Sequence, residues 1–233
     1  MGYSRISDAN EITARYMDGI LIQERLIGSV VAGTETDFLG TKFSMPVMTP
    51  AFSHLDRLGG RELTGLEEYS AAAAKLNILN FVGMMENDMF ARIVKTGAKT
   101  VRIVKPYADA GKVRDQMKYA EDAGAFGIGM DIDHIFGPEG LDVVVGERMA
   151  VQTSDMLRSY VESTPLPFFV KGVLSVEDAV KCTAVGAKAI IVSHHHGRLP
   201  SAVPPLMVLP RIKDAVGDRM KVFVDCGVES GHD

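Results

Sequence analysis

The chain has only two cysteines, Cys182 and Cys226, far apart and in no C-x-x-C arrangement. That excludes a disulfide framework and leaves no zinc-ligand spacing, so a reducing compartment and a cytoplasmic location are expected. Long apolar runs are missing too. Nothing approaches the roughly 20 residues of a spanning helix, and the opening MGYSRISDANE lacks the apolar core of a signal peptide. No membrane partner is expected, and Ile6 stands where a myristoylation signal starting at Gly2 wants Ser or Thr. The formal charge is −5, with Lys and Arg scattered along the chain. There is no basic stripe to lie along phosphates, which argues against a nucleic-acid partner.

What is present is an ordinary globular composition. The 233 residues are 46% hydrophobic and 24% charged, enough for one large core and one domain spanning residues 1–233. After an N-terminal helix from Asp8 to about Met17, β-rich runs alternate with helical segments, the signature of βαβ units. The expected strands are FSMPVMTP (43–50), NILNFVG (77–83), TVRIVKP (100–106), GIGMDID (127–133), PFFVKGV (167–173), AIIVSHH (189–195) and KVFVDCG (221–227). Most are nearly continuous apolar runs, as expected where both faces of a parallel sheet are covered. No G-x-G-x-x-G follows the first strand, and polar residues gather at strand C-terminal ends, where barrels keep their active sites. The expected fold is a TIM (β/α)8 barrel, with strand 8 and its helix missing from this sequence.

Three segments carry chemistry. In AIIVSHHHGRLPS a strand ends in Ser193, three histidines and Arg198. Histidine suits proton transfer near neutrality, and the guanidinium fork of arginine matches a carboxylate. Alternation along the strand gives His194 and His196 one direction and His195 the other. A structural histidine, or a metal site using His194 and His196, are the competing readings; no further clustered ligands are evident, so no metal is expected. In PFFVKGVLSVEDA, Lys171 ends a buried strand and needs a negative partner, either a ligand anion or Asp131 or Asp133 of the neighbouring strand. Ser175 there reads as an N-cap with acids in the first turn. In KVFVDCGVESGHD, Asp225 is followed by small residues whose backbone N–H groups can approach an anion.

VKGV, S-H-H-H-G-R and DCGVESG, in this order and spacing, resemble the corresponding segments LKG, S-N-H-G-G-R and DGGVRRG of the FMN-dependent α-hydroxy-acid oxidases and dehydrogenases, a family including glycolate and lactate oxidases. The likeness extends more weakly through GIGMDID, TVRIVKP and MPVMTPAF. The resemblance implies FMN as cofactor, a small 2-hydroxy acid as substrate and a homo-oligomer, tetrameric in the family. It makes His195 the catalytic base, Asp133 the residue that orients it, and Arg198 the clamp on the substrate carboxylate. Lys171 falls near N1 and O2 of the flavin. Pro50 and Ala51 match the turn beneath the isoalloxazine, Ser193 a flavin-contacting serine, and Asp225 and Gly227 the ribityl and phosphate segment. Arg102 and Val104 take the positions of the family's Gln-x-Tyr, which puts Arg102 at the flavin and removes a substrate-binding hydroxyl. Glu229 replaces an arginine of the phosphate loop.

The leading expectation is oxidation of a 2-hydroxy acid to a 2-oxo acid. The alternatives are a non-redox FMN barrel, such as an isopentenyl-diphosphate isomerase, and a barrel that has lost catalysis and binds a phosphorylated ligand.

Overall fold

A computed structural model describes residues 8–53, 55, 62–134, 140–143, 145–231 and 233. Gly2 and Ile6 lie outside the described residues, as does part of the loop after Asp133.

Helix α1 (Ala9–Asp18) starts at Asp8, whose carboxylate accepts the Asn10 N–H. A short antiparallel hairpin follows, β1 (Thr36–Phe38) with β2 (Thr41–Phe43). Strands and helices then alternate: α2 (Gly65–Leu76), β3 (Asn80–Val82), α3 (Asn87–Lys95), β4 (Thr100–Val104), α4 (Ala110–Asp122) and β5 (Gly127–Asp131). A second small hairpin, β6 (Leu141–Asp142) with β7 (Glu147–Arg148), sits in the loop before α5 (Ser154–Glu162). The chain continues with β8 (Phe168–Val173), α6 (Val176–Ala184), β9 (Ala189–Val192), α7 (Pro205–Val216) and β10 (Lys221–Val224). Helix starts follow local chemistry. Thr64 and Glu67 form a capping box, and Ser175 caps α6 through the Asp178 N–H at 3.1 Å.

The six strands β3, β4, β5, β8, β9 and β10 pair in parallel in that spatial order. The expected first strand is reduced to two single parallel bridges, Met48 with Leu79 and Phe52 with Val82. Pro46 and Pro50 lack the N–H a continuous ladder needs, and Phe43 belongs instead to the hairpin.

The sheet is curved into a barrel wall. Phe81 and Phe223 lie on strands at its two opposite edges, yet their ring centroids are 6.0 Å apart. Phe169 stands at 5.4 Å from Phe81, and Phe38 of the first hairpin reaches in at 5.2 Å from Phe223. This interior layer includes Leu79, Val101, Ile103, Ala189 and Ile191. The alternate residues Val82, Val104, Ile128, Val170 and Ile190 pack outward with the helices. Two apolar layers on opposite faces of one parallel sheet, one filled from within and one covered by helices, define an α/β barrel architecture.

Candidate active site

Strands β4, β5, β8, β9 and β10 all deliver ionisable groups at their C-terminal ends. A cavity of about 190 Å³ with apolar walls, including Phe38, Phe43, Leu79 and Phe223, is at the opposite end. It holds none of the ionisable cluster, so the chemistry lies at the other rim.

His195 follows β9 in a turn with left-handed backbone at His195 (φ 51°) and His196 (φ 55°). Strand alternation therefore stops at Val192 and does not set the three histidines. His194 turns toward α1: its Nδ1 accepts the Gly197 N–H at 2.9 Å, which places a proton on Nε2 for the bond to Thr13 Oγ1, also 2.9 Å. Burial lowers its basicity. His196 is exposed. His195 alone faces the mouth, with Nδ1 2.9 Å from Asp133 Oδ1. Ser193 Oγ accepts the His195 N–H at 3.0 Å and fixes the turn.

Lys171 is 6% exposed. Its Nζ lies 3.4 Å from Asp131 Oδ1, 3.6 Å from Asp225 Oδ2 and 3.4 Å from Ser193 Oγ. Burial would strip its charge, but the two carboxylates outweigh that and hold it as an ammonium. The anionic partner demanded by a lysine in this strand is thus protein carboxylate, Asp131 from the neighbouring β5 and Asp225 from the end of β10, beyond β9.

Arg102 departs from expectation. Its guanidinium bonds Met85 O at 3.0 Å and Gln116 Oε1, between the rings of Phe90 at 4.9 Å and Tyr119 at 5.8 Å. It belongs to the layer between sheet and helices, because Val101 and Ile103 point into the barrel and the period of two sends residue 102 the other way. The next inward residue is Lys105, whose Nζ lies 2.7 Å from Asp131 Oδ2 and 3.2 Å from His134 Nδ1. His134 in turn bonds Asp142 of β6 through Nε2. Lys105, His134 and Asp142 carry no motif in the sequence that marks them as part of the site. Counting the period of two forward from Val101 and Ile103 is the signal that points to Lys105.

Pro50 and Ala51 sit at the end of the first strand segment, where Pro50 O accepts the Tyr69 hydroxyl at 3.1 Å and Ala51 packs on the interior layer. Arg198 is half-buried on the turn after His196, near enough to His134 to act on it electrostatically. Gly227 has φ 91° and lies against α1; a Cβ there would come 2.9 Å from Met17 Sδ. Just beyond it, the N–H groups of Glu229 and Ser230 and the Ser230 hydroxyl converge on one Asp233 oxygen at 3.1, 2.8 and 3.0 Å. That carboxylate stands where a bound anion such as a phosphate would be cradled.

A buried cation, a histidine braced by a carboxylate and an anion-holding loop thus share one rim of an α/β barrel. Residues 138–233 match the model of the FMN-dependent dehydrogenase family, and part of the chain is similar to oxidases and dehydrogenases of hydroxy acids. It is 37% identical over 107 residues to an L-lactate oxidase of a Nostoc species, covering 45% of this chain and 29% of the relative. It is 46% identical over 71 residues to a 4-hydroxymandelate oxidase of Amycolatopsis orientalis, covering 30% of this chain and 20% of the relative. Among solved structures, a mandelate oxidase shares 26% identity and a TM-score of 0.78, covering 97% of this chain and 72% of that one. The alignment thus spans under a third of the lactate oxidase's length. Among the described residues, no helix is long and apolar enough to cross a membrane.

Proposed function

We propose that this chain carries the FMN-dependent oxidation of a 2-hydroxy acid to a 2-oxo acid. The observation that carries this reading is the His195–Asp133 pair at 2.9 Å beside the buried ammonium of Lys171, all on one rim.

The residues fit the flavin. Lys171 would offer a fixed positive charge for the pyrimidine side of the ring, Ser193 a hydroxyl, Pro50 and Ala51 a backbone floor, and the 227–230 loop N–H groups that here hold the Asp233 carboxylate. Glu229 is exposed and contributes its backbone N–H there, so its side chain does not have to face a phosphate. When bound, FMN accepts the two electrons released by the substrate carbon.

The chain's own groups do the rest. Asp133 engages Nδ1 of His195 and leaves Nε2 to take a proton from the substrate; the same carboxylate then stabilises the imidazolium. Arg198 holds the substrate carboxylate by two parallel N–H bonds. Lys171 opposes negative charge as it arrives in front of it. The resemblance supports a homo-oligomer as the working form, and two cysteines that are far apart in sequence and unpaired support a reducing compartment such as the cytoplasm.

The test is anaerobic mixing of flavin-loaded protein with lactate, glycolate and mandelate, following loss of the visible flavin absorbance. Bleaching by at least one, slowed about 10²–10⁴-fold in His195→Gln, is expected. Flavin-loaded protein that no 2-hydroxy acid bleaches would overturn the reading.

A further inference from the structure

The mechanism above leaves one buried carboxylate in the mouth without a task. Asp131 is 3% exposed, and its Oδ2 takes the Lys105 ammonium at 2.7 Å. Its Oδ1 accepts no hydrogen bond among the described residues; it stands 3.4 Å from Lys171 Nζ and 3.8 Å from His195 Nδ1. This carboxylate oxygen lies between an ammonium and an ionisable imidazole and is hydrogen-bonded to neither, so it can strengthen its contact with either one.

Lys105 is what holds it there. Asp131, His134 and His195 bring ligand atoms within 4.8 Å of one another, a spacing that suits a divalent ion. Yet the Lys105 ammonium already lies against two of the three, so the cation of this cluster is supplied by the chain itself. His134 Nδ1 must accept from that ammonium, and its Nε2–H goes to Asp142, so His134 is a neutral brace with neither nitrogen left for substrate.

Resting on the function proposed above, we infer that Asp131 is a positioning residue that exchanges partners during turnover. It pairs with Lys171 while His195 is neutral and with His195 once that ring has taken the substrate proton. Oxidation of the alcohol to the carbonyl removes two hydrogens: one leaves as the proton taken by His195 Nε2, and the other would leave with two electrons, as a hydride equivalent that bound FMN would accept. Positive charge thus appears 3.8 Å from Asp131 Oδ1 as negative charge arrives in front of Lys171, and the swap leaves both cations neutralised. Lys105, anchored on Oδ2, keeps the carboxylate from following either partner away.

The groups facing His195 are Asp133 and Asp131 directly, His134 at 5.6 Å between ring centroids, Lys105 and Lys171 across Asp131, Asp225 across Lys171, and Arg198 on its own turn. Opposite charges within about 4–6 Å move a titration by about 1–3 units, so removing them one at a time gives opposite signs. The pH midpoint of the His195 ring resonance is followed by NMR without substrate, and the acid limb of flavin reduction is followed separately. Asp131→Asn should lower the midpoint by about 1 unit, Lys105→Met should raise it, and the double variant should fall near wild type. The plateau rate of Asp131→Asn should drop about 10–10²-fold. Midpoints that stay put, or that move in the same direction in both single variants, would show Asp131 to be scaffolding only. If Asp131→Asn does not fold, Lys105→Met decides alone: no upward shift overturns the inference. The NMR arm needs no substrate turnover, so it can fail while 2-hydroxy acids still bleach the flavin.

Discussion

A Cβ placed on Gly172 would lie 2.3 Å from Cγ of Asp133, the carboxylate that braces His195. The glycine also has φ 91°, a backbone conformation that L side chains rarely adopt. The small residue after Lys171 therefore makes room for the catalytic brace, and Lys171 and His195 are linked through it.

Gly172→Ala should push Asp133 off His195. Flavin reduction is expected to fall by about 10²-fold or more, with a loss of about 1–3 kcal/mol in stability from backbone strain. Stopped-flow reduction together with urea unfolding checks both; wild-type reduction would mean that Asp133 does not orient the base.

The three histidines separate by partner. His195→Gln should abolish most reduction, while His196→Gln, at an exposed position, should change it less than about threefold. His194→Gln should act on stability, since it breaks the bridge from the turn to Thr13 on α1. Reduction lost in His194→Gln with flavin still bound would assign the base to the wrong ring.

Burial depresses the basicity of both His194 and His134, with Lys105 adding to the effect on His134. A histidine whose folded value lies below its unfolded value of 6.5 binds fewer protons when folded. Its contribution is complete above about 6.5 and is lost as pH falls toward the folded value. The urea midpoint should therefore decline between about pH 6.5 and 5, and less steeply in His194→Asn. An unchanged slope would mean that His194 titrates alike in both states.

Arg102 is packed against helices and not against the site. Arg102→Leu should cost about 1–3 kcal/mol by leaving the Met85 carbonyl and Gln116 without their donor, yet leave flavin affinity unchanged. A flavin titration in which Arg102→Leu binds more than tenfold weaker would return the residue to the cofactor.

The sequence by itself determined the order of strands and helices, the placement of Lys171, His195 and Asp225 at strand ends, and the need of Lys171 for a negative partner. Each rests on local chemistry: apolar runs, caps, and the cost of burying a charge. Which side of a strand a residue faces was decided only by the tertiary structure. In VRIVK both faces of β4 are apolar, so neither face is marked as inner, and Arg102 and Lys105 are equally plausible at the mouth until Ile103 is seen packed against the interior layer. The left-handed turn at His195 and His196 is likewise set by tertiary contacts, with Asp133, Ser193 and α1 pulling three adjacent residues apart. The closing of the barrel wall, read from Phe81 against Phe223, depends on residues 142 positions apart meeting across a common core, and no local pattern encodes such a contact.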